Sequence, residues 1–308
     1  MQSKPLTLAL TALLLAAVGP AGRADQTETE PTSRPASRPA NPLYKARTGP
    51  YAVRARTFVL RDDDRNKDLQ LRLTYPAGDG KLPVIVWSHG LGGSRDAYKP
   101  LVRHWAGHGY AVIQATHSDS LTFGRRSRRE LIADWASRPK DVAFILDSFN
   151  ELEKRAADVR GRLDVTRIGV GGHSFGAHTT QLVAGATTRR LWPPRRDSHA
   201  DPRPKAFLLV SPQGIGGLLD ERSWDACTRP MMTITGSKDV SLMDRKKTPH
   251  WRLDPYKLSP AGDKYLLWID GAWHGFGGIS GARGYPTRGP DNREQVNCVR
   301  SAGLAFWD

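Results

Sequence analysis

Six short runs of almost unbroken apolar residues punctuate the chain. They are PVIVWS at 83–88, YAVIQA at 110–115, RIGVG at 167–171, AFLLV at 206–210, MMTIT at 231–235 and YLLWI at 265–269. A strand with one face in water alternates apolar and polar residues. These runs do not alternate, so both of their faces must be covered. Helical spacing fills the gaps between them. Leu101, Val102 and Trp105 share one face of a segment over 98–108. Val142, Ile145, Leu146 and Phe149 mark a long helix expected within 128–152. Residues 177–184 continue the pattern, and a closing helix over 293–306 has Asp291 or Asn292 as its cap. Upstream, 51–60 and 69–75 flank the polar turn RDDDRNKD as an antiparallel pair. Strands alternating with helices predict an α/β fold with a mostly parallel sheet and helices on both faces. No internal repeat is visible.

The first 49 residues stand outside this pattern. Lys4 precedes an apolar run from Leu6 to Val18, too short to span a bilayer comfortably, and Gly22-Arg23-Ala24 supplies small residues for cleavage after Ala24. Residues 1–24 read as a signal peptide, so the mature protein is expected to be exported, to the periplasm or beyond. No cysteine follows the run to carry a lipid. Residues 25–49 are rich in Pro, Ser, Thr and Arg and nearly devoid of large apolar side chains. They read as a disordered linker. The folded domain is expected over 50–308, a length that suits one α/β domain.

The 308-residue chain carries 46 Lys and Arg against 31 Asp and Glu, a net charge of +15. The excess is spread rather than blocked, and no nucleic-acid motif accompanies it. It reads as an arginine-rich surface rather than a specific nucleic-acid site. Two cysteines, Cys227 and Cys298, could pair in an oxidising compartment, or stand apart as thiols; spacing does not decide between them.

The run at 167–171 leads into Gly172-His173-Ser174-Phe175-Gly176 and then the helical segment from Ala177. A strand that turns at once into a helix leaves no room for side chains two residues before and after the apex. G-x-S-x-G meets that need and lifts the serine hydroxyl above the sheet. A hydroxyl is a poor nucleophile without a base, and the base needs a carboxylate to orient it. Two later strands end in such residues. The strand at 231–235 runs into Gly236-Ser237-Lys238-Asp239, and the strand at 265–269 into Asp270-Gly271-Ala272-Trp273-His274. Parallel strands would bring Ser174, Asp239 and His274 to one sheet edge. The glycine-rich Ser88-His89-Gly90-Leu91-Gly92-Gly93 follows an early strand. Backbone N–H groups of Leu91 and Phe175 are the expected donors to an oxyanion.

HGLGG, GHSFG, GSKD and GAWHGF, in this order and spacing, resemble the α/β-hydrolase superfamily over roughly residues 50–308. HGLGG with GHSFG is most similar to the branch of platelet-activating-factor acetylhydrolases and cutinase-like polyesterases. That resemblance implies an eight-stranded sheet, a Ser–His–Asp triad at Ser174, His274 and Asp239, and ester hydrolysis through an acyl-enzyme with no cofactor and no metal. The expected partner is a small-molecule, lipid or polymeric ester. Acetylhydrolase-type members can take their acid from the end of the preceding strand. Here that position reads Ser211-Pro212-Gln213 and has no carboxylate, which favours Asp239. Dienelactone hydrolases, another related group, use a cysteine where this chain has Ser174. A peptidase or amidase with the same triad, and a binding protein that kept the fold without the reaction, are the rival readings.

Other residues have simpler readings. Asp239 could be a turn former, with Asp244 as the alternative acid. His89, His173 and His178 flank the site as orienting or packing groups. His104 and His108 have helical metal spacing but lack the glutamate of H-E-x-x-H. Asp62-Asp63-Asp64-Arg65-Asn66 lacks the later glycine and glutamate of a calcium loop. Trp192, Trp251 and Trp273 could line a pocket or simply pack. The cluster Arg125-Arg126-Ser127-Arg128-Arg129 would put positive charge at the rim or at a solvated helix start. The excursion Arg189–Lys205 has the length of a rim loop or lid.

Overall fold

The computed structural model describes residues 43–308 except 125–126, 128–129, 131–134, 191, 242–243, 245 and 282–287. The expected signal peptide, most of the expected linker and the arginines of the 125–129 cluster lie outside the described residues.

The described residues contain ten strands: β1 Val53–Asp62, β2 Lys67–Pro76, β3 Leu82–Ser88, β4 Ala111–Thr116, β5 Leu163–His173, β6 Thr188–Arg190, β7 Arg195–Asp197, β8 Ala206–Val210, β9 Met231–Lys238 and β10 Lys264–Trp273. Eight form one sheet in the order β1-β2-β4-β3-β5-β8-β9-β10. β2 pairs antiparallel with both β1 and β4, and every pair from β4 to β10 is parallel. The α-helices named among the described residues are α1 Lys99–Gly107, α2 Ser137–Asp147, α3 Phe149–Arg155, α4 Phe175–Ala184, α5 Asp254–Leu258 and α6 Arg293–Trp307.

The unbroken apolar runs are explained by two cores, one on each side of the sheet. Ile85 and Trp87 of β3 and Leu208 and Val210 of β8 face Leu101 and Trp105 of α1 and Val299 and Leu304 of α6. Their neighbours in sequence, Val84, Val86, Phe207 and Leu209, join Val142 and Ile145 of α2 and Leu182 of α4 in the other core. Successive side chains of a strand point to opposite faces, so each run fills both cores.

The single long helix expected within 128–152 is corrected: from Ser137 onward the described residues form two shorter ones, α2 and α3. Pro139 lies in the first turn of α2, where its missing N–H costs nothing; deep in a helix begun ten residues earlier it would break the ladder. At Ser148 the hydroxyl donates to the Phe144 carbonyl at 2.7 Å, and the chain restarts as α3. The excursion at 189–205 contains a small β6–β7 hairpin. Its Arg196 is joined to Asp220 at 2.7 Å, and Trp192 at its tip is 87% exposed. Asn292 caps α6 by accepting from the N–H groups of Glu294 and Gln295. Cys227 is buried and Cys298 half-buried, and neither is bonded to the other. No helix among the described residues is long and apolar enough to cross a membrane.

Candidate active site

Ser174 follows β5 directly, with φ 57° and ψ −116°. A non-glycine residue in that region stores strain of about 1–3 kcal/mol, and the surroundings must impose it. The glycines on either side show what does. A Cβ on Gly172 would run into the backbone of Gly176, and one on Gly176 would run into the Ser88 carbonyl. β3, the elbow and the start of α4 are packed backbone to backbone.

The carboxyl ends of adjacent strands supply the other groups. Ser88 ends β3, Ser211 follows β8, Asp239 follows β9 and His274 follows β10. Ser174 Oγ lies 2.9 Å from His274 Nε2. On the far side of the ring, His274 Nδ1 lies 2.8 Å from Asp239 Oδ1. Ser174 is half-buried, His274 buried and Asp239 fully buried. Asp244, the alternative acid, sits at an exposed turn where its N–H meets Ser241 Oγ.

Asp239 is surrounded by donors. Ser211 Oγ–H reaches Oδ1 at 3.0 Å, Thr235 Oγ1–H reaches Oδ2 at 3.0 Å, and the Arg252 guanidinium pairs with Oδ1 at 2.9 Å. Burial alone would push the carboxyl up. Arg252 and His274 outweigh it and hold the group at about 2. Arg252 is itself buried and donates to the carbonyls of Ser211, Pro212, Asp239 and Val240. Ser211 Oγ also lies 2.8 Å from His274 Nδ1. The strand end that lacks a carboxylate therefore still places a hydroxyl against the imidazole.

His173 is an orienting residue by its contacts. Its Nε2–H donates to the His274 carbonyl at 2.8 Å, which leaves Nδ1 to accept from Tyr98 Oη–H at 2.8 Å. Tyr98 Oη in turn accepts from the Gly90 N–H at 3.0 Å. One chain of hydrogen bonds thus joins the glycine-rich loop to the backbone of His274. Burial holds His173 down at about 3, so it stays neutral.

The loop 89–93 turns at Gly92, whose φ is 74°, with the Gly93 N–H returning to the Gly90 carbonyl at 3.0 Å. Leu91 is the first central residue of that turn, and its side chain is 42% exposed. Phe175 opens α4 and is half-buried. His89 is wholly internal, donating from Nδ1 to the Gly90 carbonyl and accepting the His117 N–H at Nε2. His178 stacks on the Phe175 ring with an interplanar angle of 2°, and burial lowers it to about 4.

Most of the remaining candidates have partners of their own. Trp251 donates to the Ile215 carbonyl, and Trp273 packs beneath the Lys238 ammonium. Trp192 stands on the hairpin tip. His108 donates to the His104 carbonyl at 2.8 Å. Asp62 closes its turn by accepting from the Arg65 N–H. Among the described residues, no three His, Cys, Asp or Glu side chains gather as a metal ion would need.

Sequence reasoning missed two arginines, Arg138 and Arg252, and a second buried array. Ser88 Oγ lies 2.9 Å from His117 Nε2, and His117 Nδ1 lies 2.8 Å from Asp141. Ser88 and His117 are each 1% exposed and Asp141 is fully buried, so this array has triad chemistry without access for a substrate. No local pattern marks these residues, because successive members of the array lie 29 and 24 positions apart and the arginines lie 19 and 13 positions from their aspartates.

A mostly parallel eight-stranded sheet whose strand ends present a serine elbow, a carboxylate and a histidine in that chain order is the α/β-hydrolase fold. Comparison with known proteins narrows the resemblance. The sequence model of the platelet-activating factor acetylhydrolase isoform II family matches residues 69–127. A candidate phospholipase A2 of Schizosaccharomyces pombe is 44% identical over a region covering 39% of each chain. A cutinase of Thermobifida alba is 26% identical, over 77% of this chain and 66% of its own. The chain thus spans less than two thirds of either relative. Among solved structures, a ferulic acid esterase from Streptomyces cinnamoneus superimposes with a TM-score of 0.59 at 18% identity, over 88% of this chain and 91% of its own. A candidate dienelactone hydrolase from Klebsiella pneumoniae gives 0.59 at 16%, over 83% and 98%. The resemblance to the acetylhydrolase and cutinase branch of the superfamily holds.

Proposed function

We propose that this protein is an exported serine hydrolase of carboxylic esters. The observation that carries the reading is the aligned series of Ser174 Oγ, His274 and Asp239, at 2.9 and 2.8 Å, on a strained elbow. The names of its relatives (cutinase, phospholipase A2, ferulic acid esterase) support the ester class.

In this reading His274 Nε2 takes the Ser174 proton as Oγ bonds to the ester carbonyl carbon. The carbonyl π pair moves onto oxygen, where the N–H groups of Leu91 and Phe175 stabilise it. Asp239 holds the ring with Nδ1 protonated and balances its charge. As the tetrahedral species collapses, the bond to the alcohol oxygen breaks and His274 gives that oxygen its proton. Water, deprotonated by His274, then attacks the acyl-enzyme, and the acid leaves as Ser174 Oγ recovers the proton. Neither a metal nor a cofactor is required.

The side chains of Leu91, on the oxyanion loop, and of Leu121, whose N–H meets the Gly92 carbonyl, are exposed, as is that of Phe123 two residues on. They favour an ester with an apolar part. Residues 1–24 act as a signal peptide and 25–49 as a linker to a catalytic domain over 50–308.

The test uses the chain from Asp25 onward. Turnover of p-nitrophenyl acetate, butyrate and octanoate is measured beside Ser174→Ala, with labelling by a fluorophosphonate. Hydrolysis and labelling that both vanish in the variant are expected. Folded wild type that neither turns over nor labels would refute the reading, and faster turnover of anilides than of esters would move it to amidases.

A further inference from the structure

Beneath the loop that would bind the oxyanion lies a charge that ester hydrolysis does not require. Arg138, near the start of α2, is 0% exposed. Its Nε and Nη2 meet the two oxygens of Asp119 at 2.8 and 2.7 Å, a two-pronged pair. Its Nη1 donates to the His89 carbonyl at 2.6 Å, and Nη2 also reaches the Gly90 carbonyl at 3.4 Å. The guanidinium carbon lies over the Phe175 ring, 4.4 Å from its centre. Asp119 extends the grip by accepting the Gly92 N–H at 3.0 Å.

Peptide geometry gives these contacts a consequence. The Gly90 carbonyl and the Leu91 N–H belong to one planar trans peptide, so they point in opposite directions. The carbonyl is held on the Arg138 side by Arg138, by His89 Nδ1–H at 2.6 Å and by the Gly93 N–H at 3.0 Å. The Leu91 N–H is thereby turned the other way. The Phe175 N–H belongs likewise to the peptide of the Ser174 carbonyl, which accepts from His178 at 3.0 Å. Its residue is the one whose ring Arg138 covers.

Resting on the ester-hydrolase reading, we propose that Arg138 is a positioning residue whose planar fork sets both oxyanion donors, Leu91 N–H and Phe175 N–H, in register. The fork performs this, and the charge alone does not. A lysine at 138 could reach Asp119 but could not hold Asp119, the His89 carbonyl and the Phe175 ring together.

The test is Arg138→Lys in the mature chain. Active sites are counted by fluorophosphonate labelling carried to completion. The readouts are kcat per labelled site, KM for p-nitrophenyl butyrate, inhibition by an alkylboronic acid that forms a tetrahedral adduct at Ser174, and the acid limb of the pH–rate profile. Losing one such donor typically costs about 10²–10³-fold in kcat. Loosening two without removing them is expected to cost roughly 10–100-fold. Boronate affinity should fall in parallel, while KM stays within about threefold and the acid limb does not move. Unchanged kcat per site would overturn the proposal, as would a loss carried entirely by KM. If Arg138→Lys does not fold, Arg138→Gln with Asp119→Asn removes the fork without leaving a buried charge unpaired and is expected to show the same pattern. Absence of a cooperative melt in both variants would also overturn it, since Arg138 would then be serving the fold. Failure of wild type to label or turn over would instead refute the ester-hydrolase reading.

Discussion

Replacing Asp239 by Asn separates the two tasks of a triad acid, because of where its donors lie. Oδ1 receives His274 Nδ1–H, Ser211 Oγ–H and Arg252, whereas among the described residues Oδ2 receives only the Thr235 hydroxyl. An asparagine would place its one carbonyl oxygen among the three donors and its NH2 toward Thr235. A hydroxyl can rotate to accept. The imidazole would therefore keep Nδ1 protonated, and Nε2 would remain free to take the Ser174 proton. What is lost is the negative charge facing the imidazolium. For charge centres about 5 Å apart at an effective dielectric of about 20, this is roughly 3 kcal/mol, or about 10²-fold in rate. A triad whose histidine adopts the wrong tautomer loses about 10⁴. The assay is kcat for p-nitrophenyl butyrate in Asp239→Asn, alone and with Thr235→Val. Valine cannot accept, so the double variant should fall about tenfold or more below the single one, while Thr235→Val alone should change little. A loss near 10⁴ in the single variant, or no further loss in the double, would refute the reasoning.

Three further outcomes follow from the contacts. Tyr98→Phe leaves the Gly90 N–H and His173 Nδ1 without their partner; each buried orphan costs about 1–3 kcal/mol, so urea denaturation should show a clear loss, and an unchanged midpoint would contradict the assigned chain. Asp239 is held at about 2 against an ordinary 3.8, so the folded state favours its ionised form. Its contribution, about 2 kcal/mol, is complete above about pH 4 and disappears as the pH falls through 2; denaturation of Asp239→Asn should lack this part of the acid dependence, and parallel curves would count against it. Thiol titration without reductant should find two free thiols in denaturant, with Cys227 silent in the native protein because burial pushes it up to about 12; a single disulfide would refute this.

The sheet was legible because its signal is local. A run such as AFLLV must be covered on both faces whatever lies far away in the chain, and its neighbours in the sheet follow from the helices between runs. The elbow was legible for the same reason: Gly172 and Gly176 answer a collision within a few residues of chain, and with the Ser88 and His89 carbonyls that cross it. The division of the 128–152 segment was less legible. Val142, Ile145 and Phe149 keep helical spacing across the break, and the pattern does not register that the Ser148 hydroxyl takes a backbone carbonyl. The β6–β7 hairpin gave no signal because its strands are three residues each and consist largely of arginine.

Beneath the candidate site the missing information is of another kind. Arg138 sits in SRPK and Arg252 in HWRL, both of which read as surface, yet each is almost wholly buried and paired with an aspartate. A buried ion pair is weak as a source of stability, because desolvation consumes most of its attraction. Stability alone therefore does not explain two of them at the same sheet edge. Their contacts offer a better reason. Arg252 holds the carbonyls of Ser211, Pro212, Asp239 and Val240, fixing the strand ends that carry the proposed acid. Arg138 holds the carbonyls of His89 and Gly90, fixing the loop that carries a proposed oxyanion donor. Loops at strand ends have no ladder to bond with, and their carbonyls need donors that come from elsewhere. A guanidinium, with five N–H groups in one plane, serves several at once. The chain brings Ser174, Asp239 and His274 to one edge by topology, and two buried arginines hold the backbone on either side of them.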